Sequence, residues 1–346
     1  MAPTTLPGRA YTDPARLERE VAELLRPAWH CVGRADELPA SGDHVALTIL
    51  DEPIVLVRGE DGQLRALSNI CRHRGMRIVD GGGSGATSFT CPYHAWNFAI
   101  DGELRTAPFT EPEAVAGCRL PTWPLHEERG FVYVSVSTDP IPFEVPTDLI
   151  EATARYNPAD FRFVTTETEV WNCNWKAMVE NFMEGSHLSF VHRESLHHLT
   201  PTRLATKGPS GDGFTSFYSA FPEGVRSENP GEAGLDEIDR RRSILYQRFP
   251  TQVVSQNQSF LASFLVLPLD VDHTEIRWTL SAFRDSDDEL IQRTIDMWRT
   301  LNVEDRAILE TMHRNLQAPS AQDYAGPLAD DDREGTIVDF HRYLRG

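Results

Sequence analysis

Four metal-binding side chains recur in two short, mixed pairs. Cys71 and His73 form one pair, Cys91 and His94 the other, and together they read C-x-H-x17-C-x2-H. Each pair supplies one thiolate and one imidazole. Such a set suits a structural zinc ion. It also suits a [2Fe–2S] cluster with two cysteines on one iron and two histidines on the other. Common zinc fingers keep their cysteines in one half of the motif and their histidines in the other. The mixing here favours two loops that clamp a two-iron cluster from both sides. Arg74-Gly75 after the first pair, and Pro92, Trp96 and Gly102 around the second, fit that arrangement.

A second set lies in NWKAMVENFMEGSHLSFVH, residues 174–192. On a helix, Glu180, Glu184 and His187 fall within an arc of ~60°, beside an arc holding Trp175, Val179, Phe182 and Met183. His192 would stand ~140° from His187 on an unbroken helix. For both imidazoles to meet one metal, the helix has to end or unwind after Gly185. His187 alone would read as a structural histidine. The whole pattern E-N-x2-E-x2-H-x4-H reads as a metal site.

At the first set the chain resembles the Rieske proteins. Over nearly its whole length it resembles the large (α) subunits of Rieske non-haem iron oxygenases, the aromatic-ring-hydroxylating dioxygenase and monooxygenase family. Respiratory Rieske proteins usually carry an extra cysteine in each loop, joined as a disulfide. Met76 and Tyr93 stand at those positions here, which is similar to the ferredoxin and oxygenase branch. The resemblance implies that His187 and His192 bind a mononuclear Fe(II). It implies that Glu184 links the Rieske histidine of one subunit to the iron histidine of its neighbour, and that Asn181 stands beside the iron. Three residues depart from the family's habit. Ala95 replaces a usual Gly, Ser186 a frequent Tyr, and Glu184 a common Asp. A subset of the family acting on quaternary ammonium or related compounds also has Glu at that last position.

A 2-His-1-carboxylate set leaves open positions on iron for dioxygen, so a carboxylate must come from elsewhere. On a helix over residues 301–316, Asp305 is central to an apolar arc, with Leu301, Ile308, Leu309, Met312 and Leu316 within ~60° of it. A buried carboxylate is costly unless protonated, paired or metal-bound. Asp305 is therefore a metal ligand or the partner of a buried Arg. Glu304 lies ~100° away and is expected to point elsewhere. The family has an Asp ligand in a C-terminal helix, often after Glu. That resemblance selects Asp305 over Glu304 and Glu310.

The elements that must position these groups follow from periodicity and turn residues. Residues 14–28 read as a helix, with Leu17, Val21, Leu24 and Leu25 on one side. From His44 to Val136 short β-rich runs alternate with Gly, Asp and Pro. The proline-rich stretch 137–146 suggests a boundary. Beyond it come a helix around 174–187, strands at 259–268 and 274–283, and two helices at 286–299 and 303–317. Residues 207–240 read as long loops, and Arg240-Arg241-Arg242 as a solvated charged face. Phe214, Phe217, Phe260 and Phe264 read as sheet core ahead of pocket lining. The expected fold class is α+β. A helical segment over 1–40 would pack on the catalytic domain. An all-β Rieske [2Fe–2S] domain would span 41–148. A catalytic domain over 149–346, with a helix-grip antiparallel sheet, would hold the iron.

The formal charge of −19 disfavours binding to nucleic acid or to anionic lipid. No apolar run approaches the ~20 residues needed to span a bilayer, and residues 1–20 lack the apolar core of a secretory signal. Five cysteines do not form a disulfide framework, so a cytoplasmic enzyme is expected. The resemblance implies electrons from NAD(P)H through a separate reductase, directly or through a ferredoxin. It implies a head-to-tail homotrimer that brings His94 of one chain near Glu184 and His187 of the next. The products would be a hydroxylated carbon, a cis-diol or a demethylated substrate. Two other readings stay open at this point. One is an electron-transfer protein whose second domain docks a partner. The other is a zinc-binding interaction protein.

Overall fold

A computed structural model describes residues 3–225 and 235–345. The chain divides into two units, residues 26–143 and residues 1–25 with 144–346. The first boundary differs from the expected 40/41 for a simple reason. His30–Arg34 is a strand, and it pairs antiparallel with Phe131–Val134. Residues 26–40 therefore belong with the β-rich unit. The second boundary falls five residues before the expected one.

The unit over 26–143 is all-β. Its largest sheet has five strands, ordered Gly82–Gly83, His44–Ile49, Glu52–Arg58, Leu64–Ser68 and Thr122–Trp123. A smaller sheet joins Ser88–Thr90, Asn97–Ala99 and Leu104–Thr106. Val55, Val57, Leu67, Phe89, Trp96 and Phe98 fill the core between them, and Cys71 and Cys91 belong to the same buried cluster. The two cysteines are thus placed by core packing, and their loops need only carry the histidines outward.

The other unit is built on a seven-stranded antiparallel sheet. Its strands are β1 (Phe161–Trp171), β2 (Ala205–Gly211), β3 (Phe214–Ala220), β4 (Arg242–Arg248), β5 (Gln252–Gln256), β6 (Phe260–Pro268) and β7 (Thr274–Phe283). The order is β1-β7-β6-β5-β4-β3-β2, so every neighbour from β2 to β7 is a sequence neighbour and β1 closes beside β7. Helices α1 (Trp175–Phe182), α2 (Asp288–Leu316) and α3 (Asp331–Tyr343) accompany it. Phe264 of β6 is the hinge of that packing. Its ring lies 5.0 Å from Phe182 of α1 and 5.4 Å from Trp298 of α2. Aromatic pairs of this kind contribute about 0.5–1.5 kcal/mol each beyond their buried area. They fix the end of α1 and the middle of α2 against one strand.

Four expectations need correction. Residues 207–211 and 214–220 are in strands rather than loop, because β2 and β3 pair in a ladder that sets Thr206 opposite Tyr218 and Lys207 opposite Phe217. Residues 221–225 and 235–238 are turn or irregular, as expected, a short 3-10 turn covers Asp239–Arg241, and residues 226–234 of that expected loop lie outside the described residues. The two late helices are one, α2, since nothing between 299 and 303 breaks it. Asp287 caps its start by accepting from the Leu290 N–H at 2.7 Å. The helix from Pro14 tightens only to Glu20, and Val21–Leu25 continue as a wider π turn. Arg242 is not simply solvated: it stands 3.8 Å over the Tyr218 ring and pairs with buried Asp239 at 2.6 Å. No helix among the described residues is long and apolar enough to cross a membrane.

Candidate functional site

The first metal-binding set sits on two copies of one turn. Cys71 N–H donates to Met76 O at 2.8 Å and Gly75 N–H to Cys71 O at 3.0 Å. Cys91 N–H donates to Trp96 O at 2.8 Å and Ala95 N–H to Cys91 O at 3.0 Å. Both turns need a left-handed residue four positions after the cysteine. Gly75 takes φ +73°, and Ala95 takes φ +58°. Glycine adopts that conformation freely, whereas for an L-residue it costs about 1–2 kcal/mol. The Ala95 departure therefore keeps the turn at a cost.

Buried Asn69 closes the first loop. Its amide donates to Val79 O at 2.8 Å and its carbonyl accepts from Val79 N–H at 2.9 Å. The rings of His73 and His94 lie 4.6 Å apart, edge to face, and His73 stacks flat on Trp96 at 4.9 Å. Both cysteines are buried, His73 is exposed and His94 half-buried. Burial pushes the Cys71 thiol pKa up, and the neighbouring Cys91 pushes it further. Two cysteines held side by side away from water are costly as free thiolates, and a cationic iron would compensate that charge. Among the described residues, no three of these four side chains bring ligand atoms within 4.8 Å of one another. A single zinc ion would require that convergence, so the set fits a two-iron cluster better.

The second set begins at α1. Asn174 caps it, its side chain accepting from the Lys176 N–H at 3.1 Å. The helix stops at Phe182, three residues before Gly185, earlier than periodicity requires. Contacts with α3 end it. Gly185 N–H donates to Arg333 O at 3.0 Å, and the Thr336 hydroxyl donates to Met183 O. A Cβ on Gly185 would come within 2.5 Å of the Ala205 Cβ, so only glycine passes β2 here. Short turns carry the chain onward: Phe190 N–H donates to His187 O at 2.8 Å and Leu196 N–H to His192 O at 3.0 Å. Ser189 and Thr202 exchange backbone-to-hydroxyl bonds at 2.9 and 3.0 Å and lock the two ends of the segment.

The unwound segment turns both histidines to one side. His187 and His192 rings lie 5.1 Å apart, and Asp305 of α2 faces both. Asp305 Oδ1 is 3.2 Å from His192 Nε2 and 3.7 Å from His187 Nε2. Among the described residues this is the one group of three whose ligand atoms all fall within 4.8 Å of one another. Asp305 Oδ1 is buried and makes no hydrogen bond there. An orphaned carboxylate oxygen between two imidazoles is a site for a cation.

Each outer ring nitrogen is held by its own carboxylate. Glu184 Oε1 accepts from His187 Nδ1 at 2.5 Å, and Glu304 Oε2 lies 2.7 Å from His192 Nδ1. Those bonds fix the tautomer that leaves both Nε2 atoms free to bind metal. Glu184 also accepts from the backbone N–H groups of Ser186 and His187. Burial pulls the pKa of each histidine down. Glu184 and Asp305 for His187, and Asp305 and Glu304 for His192, outweigh it and leave both raised above the ordinary value.

Glu304 is the residue that sequence reasoning missed. The angular separation was sound, but Ser195 and the His192 ring reach round α2 to meet it, and Ser195 Oγ donates to Glu304 at 2.6 Å. The adjacent Glu304-Asp305 pair was the available signal. The apolar arc around Asp305 is narrower than expected: Leu301 and Leu309 are buried, Ile308 and Met312 exposed. Glu180 turns away from the triad, accepting from the Tyr11 hydroxyl at 2.8 Å and lying 2.8 Å from His341 Nε2. Asn181 lines no part of the cavity and its side chain makes no hydrogen bond among the described residues. His197 and His198 are exposed.

The triad stands at one end of a cavity of about 80 Å³. Phe182, Phe217, Phe260, Trp298 and Leu301 make its apolar wall, with hydroxyls from Thr200, Ser219, Ser243 and Ser255. Phe217 and Phe260 thus serve the pocket, while Phe214 and Phe264 are wholly buried in the sheet.

Known protein families cover most of the chain. Residues 28–124 match the Rieske [2Fe–2S] domain, and residues 154–346 match the catalytic domain of the ring-hydroxylating α subunit. The chain is 27% identical to a carnitine monooxygenase oxygenase subunit of Escherichia coli (strain K12), over 98% of this chain and 92% of that protein. It is 31% identical to a glycine betaine monooxygenase oxygenase subunit of Chromohalobacter salexigens, over 56% of this chain and 44% of that one. A solved quaternary ammonium Rieske monooxygenase superposes with a TM-score of 0.84 at 22% identity, covering 99% of this chain and 95% of the other. Naphthalene 1,2-dioxygenase from Rhodococcus sp. shares the fold at a TM-score of 0.81 and 20% identity, covering 99% and 94%.

Proposed function

The chain belongs to the family of ring-hydroxylating oxygenase α subunits with a Rieske [2Fe–2S] domain, and from that premise we propose residue roles and a direction for its chemistry. His187, His192 and Asp305 hold one iron. Cys71, His73, Cys91 and His94 hold the cluster. The orphaned Asp305 Oδ1 between two Nε2 atoms, at the end of an apolar cavity, is the observation that carries the reading.

The protein is a Rieske oxygenase that takes electrons from a separate reductase and consumes O2. When bound, the cluster would pass on the reductase's electrons singly, and the iron would supply the place where O2, those electrons and the substrate react. This chain's own residues do the rest. Glu184 and Glu304 hold the two imidazoles in the metal-binding tautomer. The aromatic wall excludes water and presses the substrate toward the triad. Three ligands from one face leave the opposite face of an ion open. Glu184 further serves as the carboxylate through which His94 of a neighbouring chain reaches His187, in a closed ring of three. The half-exposure of His94 supports that role. The products are a hydroxylated or demethylated small molecule, and a ferredoxin is a second carrier compatible with the design.

An anaerobic, iron-reconstituted sample reduced with dithionite and treated with nitric oxide tests this in one low-temperature EPR spectrum. A rhombic Rieske signal together with a high-spin iron–nitrosyl signal is expected. A Rieske signal alone, in protein with verified iron content, would remove the oxygenase role from the triad.

A further inference from the structure

A second cavity adjoins the one that ends at the triad. It measures about 210 Å³, and its far wall is formed by Leu199, Phe221, Val225, Leu290 and Thr294. Five residues line both cavities: Leu196, Thr200, Ser243, Phe260 and Met297. They form a neck, with a chamber at the triad and a chamber beyond. Apart from the triad itself, no described residue lining either chamber is ionisable.

Thr200 is the unusual member of the neck. It is 5% exposed, and its Oγ1 is buried without a hydrogen-bond partner. Buried hydroxyls are nearly always paired. Trp298, which lines the inner chamber, likewise has its indole N–H buried and unpaired. Ser243 at the neck already accepts from the Asn257 side-chain amide at 3.3 Å. Thr200 is thus the neck hydroxyl that has no hydrogen-bond partner at all.

We propose that Thr200 is a specificity-determining residue, and that the two chambers take an uncharged substrate longer than one ring, with a carbonyl or ether oxygen at its middle. This rests on the oxygenase reading and names its substrate class. The Thr200 hydroxyl donates to that oxygen. One apolar end lies toward the triad and the other fills the outer chamber. A carboxylate desolvated in the outer chamber would meet no counter-charge among the described residues that line it, which is costly. A zwitterion such as carnitine is thus poorly matched, although the aromatic rings of the inner chamber could face its ammonium group.

The test uses iron-loaded holoprotein and four probes in equilibrium dialysis: benzophenone, diphenylmethane, acetophenone and L-carnitine. Benzophenone is expected to bind about tenfold tighter than diphenylmethane, the size of one net hydrogen bond. Thr200→Val should erase that ratio and Thr200→Ser should keep it. Thr294→Trp, which fills the outer chamber, should weaken benzophenone about tenfold and leave acetophenone unchanged. Equal loss of both two-ring probes in Thr200→Val would make Thr200 a packing residue and overturn the assignment. Tighter binding of L-carnitine than of benzophenone would overturn the substrate class. Iron content measured on the same samples keeps the two readings apart. Iron-loaded protein that binds no benzophenone overturns this inference alone, and protein that binds benzophenone but no iron overturns the oxygenase reading alone.

Discussion

The two candidate metal sites are assembled in opposite ways. The cluster site is local: its four residues come from two equivalent turns within 24 residues of chain, both seeded from one hydrophobic core. The iron site is distributed. His187 and His192 depend on a helix that stops early, and Asp305 arrives from a helix more than a hundred residues later. Local assembly makes a site robust to changes elsewhere. Distributed assembly makes it sensitive to the packing of a whole sheet, and it places the site where a cavity can form.

The sharpest way to break that comparison is to remove one ligand from each site. Asp305→Ala should abolish mononuclear iron and substrate oxidation, a loss of at least about a thousandfold in turnover, while the visible spectrum of the cluster persists. Cys91→Ser should do the reverse. Iron analysis and absorbance on the same samples decide it. Coupled loss of both metals in either variant would mean the sites are not independent.

The two carboxylates behind the histidines should separate next. Glu184→Ala should leave both metals bound yet abolish turnover driven by the reductase. Glu304→Ala should weaken iron by about 10–100-fold, since it only orients His192. Chelator competition and coupled oxygen uptake measure the two effects. Normal coupled turnover in Glu184→Ala would sink the bridging role.

The distributed site should also respond to acidity. With both histidine pKa values raised in the metal-free fold, protons must leave before iron can bind. Apparent Fe(II) affinity should fall as pH falls through those raised values, by up to about a hundredfold per pH unit if both protons are displaced. For the metal-free fold the sign reverses. A raised histidine pKa stabilises it below the unfolded value of about 6.5, and that contribution is lost as pH rises through the folded one. Chelator competition between pH 6 and 8, beside urea melts of the metal-free protein, reads both.

Much of the cluster site was legible because its information is contiguous. The spacing, the mixed pairs and the flanking glycines all lie in one stretch of sequence. The histidines at 187 and 192 were legible for the same reason, and the need for the helix to end or unwind after Gly185 followed from angle alone. What periodicity could not supply was where it breaks. That depends on Gly185 passing Ala205 and on Thr336 capturing Met183 O, contacts from β2 and α3. Glu304 was misread because a helical wheel describes one helix and says nothing of a ring approaching from another segment. The missed strands β2 and β3 share that cause: their Gly, Ser and Pro are turn formers in isolation, overridden by pairing with a sheet already in place.

Smaller effects should come from two backbone positions. Gly185→Ala should destabilise the iron-bearing unit by about 1–3 kcal/mol, the usual cost of forcing a methyl group into a filled space. Ala95→Gly should do the opposite at the cluster loop, delaying bleaching of the cluster in urea by an amount equivalent to about 0.5–1 kcal/mol. A destabilised Ala95→Gly would show that the loop gains more from alanine's stiffness than it loses in strain.

Helix α2 bears Leu290, Thr294, Met297, Trp298, Leu301 and Asp305 along one side. One rigid rod therefore carries the floor of both chambers and the proposed metal ligand Asp305. A single inserted residue between Met297 and Asp305 would swing the carboxylate by ~100°. Descendants of this chain can vary the bulk of each side chain along that rod, but not its length. New specificities in this lineage are open to point substitution and closed to insertion at this helix.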